Sequence, residues 1–470
     1  MHLPGLLCGV HMVLLPCASA TGVRGGAESV IAGGQVRIDP TTLADLELLR
    51  AADGGPGILA LVDRTQTRRG HAALRELLAA PRATLSEVRE AQSAVRFFAE
   101  HPGVLRIPDE ALRSVERYID SNLALIERPP WGDRIAEIGL RLRYPEVHRE
   151  IREGVTHTRS LFRHLMGTCG ELLGLDPPAA IRSSAERVCA AAESVLRPES
   201  QPRLLPSDRA YRGPLRPLIA GALEAVVELD LWCSQGAFAA SVDWAYPEFV
   251  DSREFLIEAE GLLHPLLQAG VGNPVRLTGG APMVFLTGPN MAGKTTYLRT
   301  VGLLVALAQV GLPVPASRAR LTPVKGLFSS LNPSDDLRAG LSTFMAEVQR
   351  VRDAAELLLQ GRSALVLFDE VFRGTNVKDA LEASAEVIAG FARARNAGFI
   401  FSSHLSELAD VLEKEEGIRF AYFDGEIRSG VPRYPYRLEE GVSDKCFGMA
   451  LLRQARIPEL IARLGSSTAA

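Results

Sequence analysis

Lysine is almost missing from this 470-residue chain. Lys294, Lys325, Lys378, Lys414 and Lys445 are the whole complement, and arginine supplies the rest of the 52 basic residues. Set against 56 Asp and Glu they leave a net charge of -4, so no global positive field points to a polyanion. Any nucleic-acid contact must come from a local basic surface. Cysteine is scarce as well: six residues with no CxxC spacing, which argues against a zinc ribbon and a disulfide framework and suits a reducing compartment. A long apolar run is also lacking. The N-terminal "LPGLLCGVHMVLLPCASA" is short for a membrane span, is interrupted by His11 and two prolines, and has no Lys or Arg before Arg24 to make the positive region of an export signal. Residues 1–34 are therefore read as a tail, and the protein as cytoplasmic with no membrane attachment. What is present, 47% hydrophobic and 23% charged residues, is the composition of a globular chain long enough for two or three domains.

From about Val36 to Pro247 the apolar residues recur at helical spacing. "TTLADLELLRAA" offers Thr41 and Thr42 as caps and places Leu43, Leu46 and Leu49 on one face. "GHAALRELLAAP" and "LSEVREAQSAVRFFAEHP" repeat the pattern, each ending near a proline. "LRPESQPRLLPSDRAYRGPLRP" reads as an extended connector. After about Asp251 the pattern changes. "APMVFLTG", "SALVLFDE" and "AGFIFSSH" are short apolar strands separated by helical segments, the signature of a parallel α/β sheet with polar residues at the carboxyl ends of strands.

The first strand runs into a match to G-x-x-x-x-G-K-[ST], with Gly288 and Gly293 enclosing Pro289, Asn290, Met291 and Ala292, followed by Lys294, Thr295 and Thr296. Such a loop wraps phosphates with backbone N–H groups at a helix N-terminus. Lys294 would neutralise the β- and γ-phosphates of ATP, and Thr295 would place its hydroxyl on Mg²⁺. At the second strand tip, Asp369 is placed to hold Mg²⁺ and Glu370 to orient or deprotonate the attacking water. His404 closes the third strand, where it could sense the γ-phosphate or be merely structural. In "PSDDLRAGLSTFMAEVQRV", Ser342 and Thr343 read as helix caps.

Taken together, "TGPNMAGKTTYLRT", "PSDDLRAGLSTFMAE", "LVLFDEVFRGTN", "FSSHLSEL" and "YRLEEGVSDKCFGMALLRQARIPE" resemble the MutS family of DNA mismatch-repair ATPases. The helical half is similar to the family's core domain through "IDPTTLADLELL" and "LVDRTQTRRGHAALRELLAAP". The resemblance implies a multidomain chain: a helical, all-α core-like domain over residues 35–250, then an α/β P-loop ATPase domain of the ABC-like kind over 251–470, ending in dimerisation helices. It further implies a homodimer with shared nucleotide sites, Ser342 reaching the partner's nucleotide, Asn273 beside the bound base, and ATP turnover coupled to DNA binding. Departures narrow this. The family's mismatch-reading and clamp domains are not recognisable, the Phe98-Ala99-Glu100 triplet falls inside a helix, and Gly270 stands where the family often has a base-stacking aromatic. Ala292 replaces the usual second loop glycine. The expectation is a sensor of duplex or branched DNA structure rather than of mismatches, acting with downstream repair proteins. The alternative is an ATP-switched protein-interaction scaffold without DNA.

Overall fold

The computed structural model describes residues 35–127, 132–197, 203–267, 269–331, 343–372, 376–428, 431–443, 445, 447–458 and 460–461. By packing they form two compact units, one of Thr65–Ala73 and His101–Cys233, the other of Gly33–Arg64, Leu74–Glu100 and Ser234–Ala470. Segments on both sides of the first unit thus belong with the α/β unit. Residues 35–250, expected as one helical domain, are therefore divided between the two units.

The first unit is built on helices. The longest, Pro145–Gly174, buries Ile151, Val155, Phe162, Leu165, Cys169 and Leu172 and packs along Ala179–Leu196. The proline-rich stretch read as an extended connector holds a helix, Leu204–Arg212, with Pro206 in its first turn. There the missing N–H breaks no helical bond, so proline is tolerated. That helix carries a buried ion pair, Arg212 with Asp208 at 2.6 Å, completed by Tyr118, whose hydroxyl donates to Asp208 at 2.7 Å. A second buried acid, Asp230, accepts from the backbone N–H groups of Gln66 and Thr67, both at 2.9 Å, and from the Thr67 hydroxyl at 2.6 Å. The approach is possible because residue 70 is glycine: a Cβ there would lie 2.1 Å from Asp230 Oδ2.

The second unit is organised by a seven-stranded sheet. In spatial order its strands are Arg37–Ile38, Gly326–Ser330, Ala364–Asp369, Ala397–Ser402, Met283–Thr287, Ile418–Phe423 and Leu438–Glu440. All neighbours are parallel except the last pair. Four central strands, Gly326–Ser330, Ala364–Asp369, Ala397–Ser402 and Met283–Thr287, are buried along their whole length. A four-stranded sheet of Glu248–Phe249, Arg318–Leu321, Leu256–Leu262 and Asn273–Thr278 lies in the same unit. Only three of these eleven strands were expected from the sequence. The others are short or alternate apolar with charged residues, as in "RARL" and "NPVRLT", and lack the continuous apolar run that betrays a central strand. Strands Arg37–Ile38 and Glu248–Phe249 correct the all-helical expectation for the N-terminal half; two residues show no readable period.

The N-terminal segment of this unit is stapled to the sheet by polar side chains. Asp39, not Thr41 or Thr42, caps the helix Pro40–Asp45, accepting from both threonine N–H groups. It also takes a hydrogen bond from Arg350 at 3.0 Å. Burial opposes ionisation of Asp39, yet Arg350 and Thr42 hold its carboxyl below the usual range. Thr42 Oγ1 accepts from the N–H of Ser329, 287 positions away, and Asp45 accepts from the Ser329 hydroxyl and the Leu331 N–H. Phe98 belongs to the core, and a Cβ on Gly236 would strike it.

Replacing Gly70 by alanine should therefore lower the urea midpoint of the helical unit, by an overpacking cost of roughly 1–3 kcal/mol. Gly167→Ala, at a helical position with nothing within 4 Å, should leave it unchanged or raise it.

Candidate functional site

Three strand tips converge. Met283–Thr287 leads into the loop 288–293 and then into the helix Lys294–Val310. Gly288 has φ 132° and Gly293 φ 106°, positive values that most side chains rarely adopt, and a Cβ on Gly288 would meet Phe423 O at 2.5 Å. Met291 adopts φ 70° without being glycine, which is a strained conformation. Ala292 is fully buried and keeps negative φ, so the alanine that replaces a glycine here costs no backbone strain. The helix has no side-chain cap at Gly293, so its first N–H groups are left to face the loop and whatever it encloses.

Lys294 is 6% exposed and donates to the carbonyls of Gly288 at 2.8 Å and Pro289 at 3.3 Å, with Glu370 Oε1 at 4.0 Å. The next residue, Thr295, donates its hydroxyl to Asp369 Oδ2 across to the neighbouring strand tip. Asp369 is 4% exposed, and its other oxygen, Oδ1, is buried without a hydrogen-bond partner. Glu370 sits at φ 50°, its N–H held by Ser402 O at 2.8 Å. Its Oε2 lies 3.5 Å from Nδ1 of His404, at the third strand tip. The structure thus brings Lys294, Thr295, Asp369, Glu370 and His404 into one connected group. Ser342 lies outside the described residues.

Beside the group opens a cavity of about 720 Å³. Asn290, Met291, Gly293, Lys294, Thr295 and Thr296 line it from the loop and helix, Asp369 and Glu370 from the second strand tip. His264, Gly270, Val271, Asn273 and Tyr436 also line it. Asn273 spends both ends of its amide on the chain around residue 436, donating to Tyr436 O at 2.9 Å and accepting from Leu438 N at 2.7 Å. Burial and the nearby Arg299 guanidinium push the His264 imidazole down to about 4, so it is neutral at pH 7. Tyr436 is 47% exposed, adopts φ 57°, and its ring would lie 3.4 Å from a Cβ on Gly293.

Tyr436 and His264 escaped the reading of the sequence. Tyr436 is 163 positions from the asparagine that holds it, and nothing local in "YPYRLEEG" sets it apart from a surface tyrosine. Among the described residues no three His, Cys, Asp or Glu side chains form a metal cluster. A divalent ion here would need ligand oxygens beyond the protein's own. The Thr295 hydroxyl and the orphaned Asp369 Oδ1 fit an ion held that way.

The family described as MutS domain V matches residues 284–469. The DNA mismatch repair protein MutS of Dinoroseobacter shibae is 28% identical over 537 aligned positions, covering 90% of this chain and 60% of that protein. MutS of Cereibacter sphaeroides is 29% identical over 538 positions, covering 91% and 60%. The chain thus spans about 60% of the length of these curated relatives. No helix among the described residues is long and apolar enough to cross a membrane. These matches make the chain similar to MutS proteins over most of its length, with residues 284–469 matching MutS domain V.

Proposed function

We propose that the chain binds ATP in the cavity between the 288–293 loop and Tyr436, hydrolyses it, and couples the cycle to DNA binding. The observation that carries the reading is the linked set at the strand tips: an uncapped helix N-terminus, a buried lysine, and a Thr–Asp contact beside an unpartnered carboxylate oxygen. The helix N–H groups and Lys294 bind the β- and γ-phosphates. Thr295 and Asp369 would hold Mg²⁺, which would supply charge neutralisation at the phosphates. Glu370 orients a water on the γ-phosphorus and takes its proton as ADP leaves. His404, 3.5 Å away, positions that carboxylate and reads the γ-phosphate. Tyr436 supplies the aromatic face that Gly270 lacks, with Asn273 holding its carbonyl beside the base.

The DNA half of the reading rests on the relatives, which are named as mismatch-repair proteins. In this proposal the protein is a cytoplasmic homodimer, Ser342 reaches the nucleotide of the partner subunit, and arginines of the helical unit contact phosphates of duplex or branched DNA. Downstream repair proteins receive the signal.

Glu370→Ala should retain ATP affinity while single-turnover hydrolysis falls by about 10²–10⁴, the usual worth of a positioned general base. Turnover near wild type would remove Glu370 from that role. Tyr436→Ala should weaken ATP binding about tenfold or more in titration calorimetry, with Tyr436→Phe near wild type, as base stacking requires. The DNA reading is tested with Glu370→Ala protein, with and without ATP, against perfect duplex, mismatched duplex, a four-way junction and single strands over a salt series. ATP-dependent, salt-sensitive preference for one form supports it. Absence of binding to all forms, with ATP bound and the dimer intact, would favour the scaffold reading instead.

A further inference from the structure

The helix Asp133–Arg143 in the helical unit carries an exposed apolar row. None of its residues is buried, and Ile135, Ile138 and Leu142 are 58%, 53% and 76% exposed, while Ala136 and Leu140 on the opposite side are half-buried. Its two acids serve the interior instead. Asp133 receives both contacts of a bidentate pair from Arg209, at 2.8 and 2.9 Å, and Glu137 lies 3.7 Å from the ring of His148, itself buried. Arg209 also donates to Ile126 O at 3.1 Å. The polar anchors, with Ala136 and Leu140 beside them, hold the helix so that a second aliphatic row, Ile135, Ile138 and Leu142, faces out.

At about 100° per residue, Ile135, Ile138 and Leu142 fall within an arc of about 60°, with Asp133 and Glu137 on the opposite side. Arginine borders the arc. Arg134 and Arg141 flank one edge and Gly139 the other, with Arg143 further round, and all three arginines are exposed. Spacings of three and then four residues are those of a coiled-coil seam, the positions that pack against one facing helix.

We propose that this face docks an acidic amphipathic helix of a partner protein, which lays an apolar seam on Ile135, Ile138 and Leu142 and its carboxylates against the bordering arginines. The width of the seam and its charge select this occupant. A helix lying in a bilayer surface presents a much broader apolar face. Nucleic-acid phosphates would engage the arginines but leave the aliphatic seam in water. A second copy packed antiparallel would set Arg134 and Arg141 against the same arginines of its twin.

The test uses the full chain and fluorescence anisotropy. The probe is a labelled three-heptad peptide with Leu at the seam positions and Glu on both flanks, compared with its Lys-flanked counterpart. The Glu peptide should bind about tenfold tighter or better, a preference of about 1.4 kcal/mol or more. Arg134→Glu with Arg141→Glu should reverse the preference. Ile138→Ser with Leu142→Ser should abolish binding of both peptides, and thermal melting of both double variants should match the parent, since the sites are exposed. Equal binding of the two peptides, no binding of either, or an unchanged preference after charge reversal would overturn the proposal. So would binding of phosphatidylglycerol vesicles or short duplex DNA at this face that saturating Glu peptide fails to displace.

Discussion

The central strands of the α/β unit are covered on both faces, and that one constraint arranges the chemistry. Ala364–Asp369, Ala397–Ser402 and Met283–Thr287 have no solvated face along which to distribute polar side chains. Charged groups can therefore appear only where the strands end, and parallel pairing puts the ends side by side. Asp369 faces Ser402 in register, and Leu286 pairs with Ser402 on the other side, so residues more than a hundred positions apart arrive within hydrogen-bonding reach. The Thr295–Asp369 contact then locks the helix after the loop to the second strand tip. The low dielectric behind the tips strengthens each such contact and makes an unpartnered oxygen such as Asp369 Oδ1 expensive unless a cation answers it.

What the sequence made legible was local. The loop from Gly288 to Thr295, the acids after "ALVLF" and the histidine after "FIFSS" each lie within a few residues of an apolar run, so spacing alone identified them. The rest of the cavity lining is the opposite case. Asn273 and Tyr436 meet through a carbonyl contact between distant segments, and neither has a local pattern that announces it. The cap of the first helix shows a subtler limit. Two threonines looked like the obvious caps, yet Asp39, followed by Pro40 at the first helical position, accepts from both of their N–H groups. An Asp-Pro pair at a helix start carries that information, since proline there needs no partner for a missing N–H. The edge strands were illegible because two-residue ladders leave no periodicity behind.

Polar side chains serve as construction elements in both units. In the helical unit Asp230 and Asp208 are buried and fully engaged, one by the start of the Arg68–Ala79 helix, the other by Arg212 and Tyr118. Such networks specify a unique arrangement more than they add net stability, because removing one member leaves another buried and unsatisfied. Glycines mark the same places from the other side: Gly70 admits the Asp230 carboxylate, and Gly154 admits the ring of Tyr118.

The stapling of the N-terminal segment has a consequence for how the molecule comes into being. Arg37 and Ile38 find their ladder partners at Gly326 and Leu327, and Thr42 meets Ser329, 287 positions later. On a ribosome adding about 5–20 residues per second, that interval is on the order of 15 s to a minute. The first edge of the sheet therefore leaves the exit tunnel long before anything exists for it to pair with. The α/β unit cannot form in the order in which it is synthesised, whereas the helical unit, encoded in between, is complete and can settle while the edge waits. Vectorial synthesis thus makes the α/β unit the last part of the chain to become native.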